Sequence, residues 1–193
     1  EQMKAITTDM VWLETKTVVV DGKAQQVLYP KVYLAKQPAK SVDAMGGIIS
    51  GKAIVSNTNA DILNQGIMTA DTIVLGANDV ENTGRIDGRK VTIKASQDVI
   101  NTGNIHGEKQ VNINVGRDIN VGAHVNRLQH HDIVGRQGTI GVGEKGDLVL
   151  SAKRDVNLKG AIVYTGDNSK ATIEAGQNIN LTTEALSAKK DMT

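Results

Sequence analysis

The chain has 193 residues, 39% of them hydrophobic, and a formal net charge of +1. That balance gives no general pull toward nucleic acid or an acidic membrane surface. The absence of cysteine excludes a disulfide framework, thiolate metal sites and cysteine nucleophiles.

With no Phe, one Trp and three Tyr, the core must be aliphatic, and its interior narrow enough for branched side chains to fill. No apolar run approaches the roughly 20 residues of a spanning helix. No charged-apolar-small leader opens the sequence. From Glu1 it reads as an internal stretch of a longer polypeptide.

In chain order, residues 1–45 come first and differ from the rest. Val11-Trp12-Leu13 through Val18-Val19-Val20 leads to Asp21-Gly22, and strand character resumes from Ala24 to Ala35. Asp-Gly between two β-prone runs predicts a hairpin. The Trp and two of the three tyrosines, Tyr29 and Tyr33, fall in this segment. Residues 37–46, with Pro38, form the linker to the remainder of the chain.

From residue 46 the sequence repeats itself. Asn-x-Gly recurs as Asn64-Gln65-Gly66, Asn82-Thr83-Gly84, Asn101-Thr102-Gly103 and Asn120-Val121-Gly122, with glycine spacings of 18, 19 and 19. An aspartate stands just upstream of each asparagine: Asp61, Asp79, Asp98 and Asp118. Between these marks lie alternating runs such as Val91-Thr92-Ile93-Lys94-Ala95 and Val111-Asn112-Ile113-Asn114-Val115. The unit is Gly-x-Ile-x-Gly, then Val-x-Ile-x-Ala, then Asp-Val-x-Asn-x-Gly.

Runs this short, with period two, are strands. Each ends at Gly, Asn or Asp, residues suited to turns. Three strands in about 19 residues cannot make a sheet alone, but stacked on like units they can, at the roughly 4.8 Å spacing of a parallel ladder. The expected fold is therefore all-β, a right-handed parallel β-helix over 46–193 preceded by the hairpin segment. Ile86, Val91, Ile93, Val99, Ile105, Val111, Ile113 and Ile119 should point inward. The hairpin is expected either to cap an open end of the stack, covering unpaired backbone, or to stand as a separate β-module.

Residues 126–143 do not fit the period and carry Gly135, Gly138 and Gly141; they read as an irregular excursion, or as a coil with a long loop. The repeat then returns over 146–158 and 169–181, with Asp155 and Asn178 in the place of the earlier aspartates.

The coil pattern resembles the haemagglutinin repeats of two-partner-secretion exoproteins, such as filamentous haemagglutinin and the CdiA-type contact-dependent inhibition proteins. Gly116-Arg117-Asp118-Ile119-Asn120 and Lys153-Arg154-Asp155-Val156-Asn157-Leu158 look like that family's Ala-Gly-Arg-Asp-Val-Asn-Leu phrase. Thr8-Asp9-Met10-Val11-Trp12-Leu13, with Tyr29-Pro30-Lys31-Val32-Tyr33-Leu34, is similar to the segment that opens the second repeat region of CdiA-type effectors. The resemblance implies a secreted rod on the bacterial surface, exported through an outer-membrane partner pore. Its immediate partners would be neighbouring repeat segments of the same polypeptide. It also implies a part in carrying a C-terminal toxin across a target cell's outer membrane.

Candidate chemistry is weighed against this. The aspartates Asp61, Asp79, Asp98, Asp118 and Asp155 head turns, where a carboxylate accepts backbone N–H bonds; Asn178 keeps that role without the charge. A calcium nonapeptide is missing. His124, His130 and His131 with Asp132 form a histidine cluster, but adjacent strand residues point opposite ways, and zinc needs three or four convergent ligands. They read as solvated loop residues, and no metal or other cofactor is expected. Arg85, Arg89, Lys90 and Lys94 are interrupted by Asp87 and lack interleaved aromatics, so a solvated face is expected rather than a nucleic-acid site. A lyase would need grouped carboxylates with a Lys or Arg in a groove, and no enzyme is expected. An adhesin for host or neighbour glycans would need aromatics along one coil face, and the coils hold only Tyr164.

Overall fold

The computed structural model describes residues 10–20, 23–33, 46–127 and 132–186. The chain separates into two compact units, Glu1–Asp43 and Ala44–Thr193. In the first, β1 (Met10–Val20) and β2 (Lys23–Tyr33) pair antiparallel from Val20↔Lys23 out to Met10↔Tyr33. That register sets the strands either side of the Asp21-Gly22 pair that predicts a hairpin.

The second unit is a parallel β-solenoid of six stacked levels. Its first four coils each combine a long strand with a short one: β3 (Ile48–Asn57) with β4 (Ile62–Asn64), β5 (Ile67–Ala77) with β6 (Val80–Asn82), β7 (Arg85–Ala95) with β8 (Val99–Asn101), and β9 (Asn104–Val115) with β10 (Ile119–Arg127). After β11 (Asp132–Gln137) the stack continues with β12 (Thr139–Val142), β13 (Asp147–Ala152), β14 (Val156–Lys159), β15 (Ile162–Thr165), β16 (Lys170–Ala175) and β17 (Ile179–Thr182).

The sequence predicts three strands per coil, and the early coils show two. The first two merge because the corner between them is short. Inward positions step from Gly88 to Val91 and from Gly107 to Val111, with Arg89 and Lys90 both facing outward, so the ladder bends without breaking. In later coils the same corner runs from Val142 to Leu148 and includes Lys145 at a positive φ of 53°. There the strand divides into β12 and β13, and next into β15 and β16.

Period-two alternation and a constant register line up the core in columns. One runs Ile49, Met68, Ile86, Ile105, Ile140, Val163, and another Ile54, Ile73, Val91, Val111, Leu148, Ala171. All eight residues expected to face inward are 0% exposed. Each such burial contributes about 1.5–3 kcal/mol.

The stretch 126–143 is more regular than its sequence implies. Beyond Gly122, β10 leaves the stack and pairs antiparallel with β11, from Ala123↔Gln137 to Arg127↔Asp132, with a bulge at His124/Val125. The chain is back in register at Thr139, opposite Asn104, so Thr139–Val142 belongs to a coil. Arg136 fastens this hairpin to the stack: its guanidinium donates to the Thr102 carbonyl at 3.3 Å and to that of Thr83.

Candidate functional site

The aspartate column is a hydrogen-bonded ladder. The Oδ1 of Asp61, Asp79, Asp98, Asp118 and Asp155 accepts the backbone N–H of Asp79, Asp98, Asp118, Asp155 and Asn178 in turn, at 2.8–3.2 Å. The preceding residue adds a side-chain donor from the next coil. Asn78 donates to Asp61, Arg117 to Asp98 and Arg154 to Asp118. Burial acts to raise the pKa of Asp98. The Arg117 bond, the Asp118 N–H and the charges of Arg117 and Arg154 outweigh it and hold the carboxyl below its ordinary value. The spacing of the aspartates is plain in the sequence, but the arginine partners are not, because a residue beside Asp118 pairs with Asp98, one coil away.

The asparagines form two ladders. In the inner one, Asn64 Nδ2 donates to Asn82 Oδ1, and Asn82 Nδ2 to Asn101 Oδ1, both at 2.7 Å. Asn101 Nδ2 then donates to the Thr139 carbonyl at 3.0 Å. All three are buried.

Asn120 is not the fourth member. Val121 pairs with Asn101, and Leu158 and Leu181 follow it in the column. Asn120 pairs with Ile100 and starts a second ladder on the other side of the strand, with Asn157 donating to Asn120 at 2.9 Å and Asn180 to Asn157 at 2.8 Å. A one-residue shift in a strand exchanges its faces. The signal was available: Asp118 and Asn120 are two residues apart, where the earlier pairs are three apart.

Gly66, Gly84 and Gly103 stack directly, and a Cβ at each would collide with the carbonyl oxygen of the glycine one coil before, Gly47, Gly66 and Gly84 respectively. The next place in this column belongs to Gly138, not Gly122: Thr139, just after it, donates its N–H to the Gly103 carbonyl.

His124 lies exposed on β10 opposite Arg136, a strand position and not a loop; His130 and His131 fall outside the described residues. Among the described residues no group of three or more His, Cys, Asp or Glu is placed to hold a metal ion. The basic stretch is divided by pairing, with Arg85 on Asp87 and Arg89 bidentate on Asp71. The Arg89 bond, first among several contributions, holds the Asp71 carboxyl below its ordinary value.

Sequence reading also misses a surface pair. The Tyr164 hydroxyl and His106 Nδ1 share a 3.2 Å hydrogen bond, and their rings lie 6.2 Å apart and 13° from parallel. Tyr164 is 58 residues from His106 and two coil levels away, with Gly141 between them, so only the coil register brings them together.

The fold and its ladders define a parallel β-solenoid of self-stacking repeats. Comparison with protein-family models, curated proteins and solved structures finds no match to this chain.

Proposed function

We propose that this chain is a non-enzymatic structural segment of a secreted bacterial cell-surface exoprotein, one that helps carry a C-terminal toxin across the outer membrane of a target cell in contact-dependent growth inhibition. The observation that supports the structural role is that the Asp and Asn columns are bonded to the next coil and not aimed at a shared cleft. Such a stack can be lengthened coil by coil, since each coil needs only its neighbour. The delivery role draws on the likeness of its Gly-Arg-Asp-Ile-Asn phrase to haemagglutinin repeats of exoproteins exported through an outer-membrane partner.

Outward positions are mixed, as in Lys90, Thr92, Lys94, Asn112 and Asn114. A lipid-facing strand surface would carry an apolar band with aromatic girdles. Entry into an outer membrane would therefore require rearrangement or assembly with neighbouring segments. Deleting this region from the parent protein tests the role. Loss of toxin delivery with export and receptor binding intact supports it, and unchanged delivery overturns it.

A second reading, an adhesin segment for surface glycans, is favoured by the exposed Tyr164 beside His106. Its test is whether the full chain binds oligosaccharides at all.

A further inference from the structure

His106 on β9, Gly141 on β12 and Tyr164 on β15 occupy one outward column in successive coils. Gly141 matters for what it lacks: a Cβ there would collide with the Tyr164 ring, with Cζ, Cε1 and Cε2 all within 2.5 Å. The ring therefore lies down over the β12 backbone, one face against Gly141, and points toward His106. The hydrogen bond to Nδ1 and the nearly parallel His106 ring fix it there. Tyr164 is still 41% exposed. An aromatic anchored this way loses little rotamer freedom when something stacks on it.

The same column continues to Asp87, opposite His106. Arg85 directs both of its bonds to Asp87 Oδ2, which balances the charge and leaves Oδ1 as an acceptor. In the adjacent outward column Asn104 donates to Thr139 Oγ1 at 2.6 Å, and Ile162 follows Thr139. The patch thus offers a flat apolar ring with polar groups along its edge and no unpaired arginine. A single-stranded nucleic acid would call for a basic groove beside the rings. A pyranose fits better, with its C–H face on the ring and its in-plane hydroxyls at the polar edge.

We propose that Tyr164, laid over Gly141 and braced by His106, is the stacking platform of a binding site for neutral glycans, with Asp87 as an edge acceptor. The site rests on the adhesin reading and is independent of toxin delivery.

The test uses the full chain in saturation-transfer NMR with β-linked hexamers of glucose, galactose and N-acetylglucosamine. Transfer to at least one hexamer is expected, with Tyr164→Ala weakening binding about tenfold, the worth of one aromatic stacking contact. Gly141→Ala should weaken it as well, by displacing the ring without removing any ligand contact, while Lys94→Ala on another outward column should leave it unchanged. Circular dichroism and the thermal midpoint verify that each variant is folded. Equal transfer to wild type and Tyr164→Ala would overturn the site while leaving the adhesin reading standing. Transfer to single-stranded oligothymidylate and to none of the sugars would overturn the ligand class. No transfer to any probe would overturn both the site and the adhesin reading.

Discussion

An asparagine amide in the inner column brings two hydrogens and one oxygen into the core, and the stack satisfies all three at Asn82. Its Nδ2 donates to Asn101 Oδ1 and to the Asn104 carbonyl, and its Oδ1 accepts from Asn64. Replacing it with alanine strands the Asn64 donor in the coil below and the Asn101 acceptor in the coil above. Asn82→Ala should cost about 2–5 kcal/mol, read from urea unfolding, as two buried groups each lose a partner. The glycines allow a sharper contrast. Gly84→Ala drives a Cβ into the Gly66 carbonyl and should cost about 3 kcal/mol, whereas the nearest heavy atom to a Cβ at Gly122 is the Lys159 carbonyl oxygen, at 3.6 Å. Gly122→Ala should change stability by less than about 1 kcal/mol. At this scale the recurring Asn-x-Gly was legible but its phase showed only in the shortened Asp118–Asn120 spacing, because Asn120-Val121-Gly122 matches the letters while the strand carrying it is turned over by one residue.

At the scale of strands and turns, inward columns were legible throughout, because period two and a constant coil length fix each of them. Corners were less so: the adjacent outward pair Arg89 and Lys90 marks a bend, but whether a strand bends or divides turns on two or three further residues, as between Val142 and Leu148. The hairpin β10–β11 was legible only as a gap in the period, since its pairing is local and antiparallel. Arg136→Ala should speed amide exchange over residues 123–127 and 132–137 with a change in global stability of no more than about 0.5 kcal/mol, because Arg136 is exposed and ties only the hairpin to the coils.

Among the corner aspartates, Asp98 makes stability depend on pH. Asp98 titrates lower when folded than when unfolded, so its contribution is full above the unfolded value of about 4 and is lost as the pH falls through the folded one. Unfolding free energy should therefore fall as the pH drops below the unfolded value of about 4. Asp98→Asn, which keeps an oxygen for the Asp118 N–H, should flatten part of that fall.

Across the whole stack, the exchange of Asn101 for Val121 in the inner column divides the coils into two kinds that look alike in sequence. Below it the column is polar and self-paired; above it the column is apolar and the asparagines stand outside. Coils are therefore interchangeable within each half but not between halves. Duplicating residues 85–103 in place adds a level whose every column meets its like, and the lengthened protein should melt no lower than the original. Grafting residues 139–161 after Gly84 instead sets Leu158 between Asn82 and Asn101, which breaks their bond and leaves an Asn82 N–H and the Asn101 oxygen without partners in the column. That insertion should lower the midpoint by several degrees or more, in line with about 2–5 kcal/mol for two buried groups that each lose a partner. Growth of such a rod by copying its own coils is thus confined by where the copy lands, and the level of the hairpin is a boundary that duplication cannot cross without rewriting the asparagines.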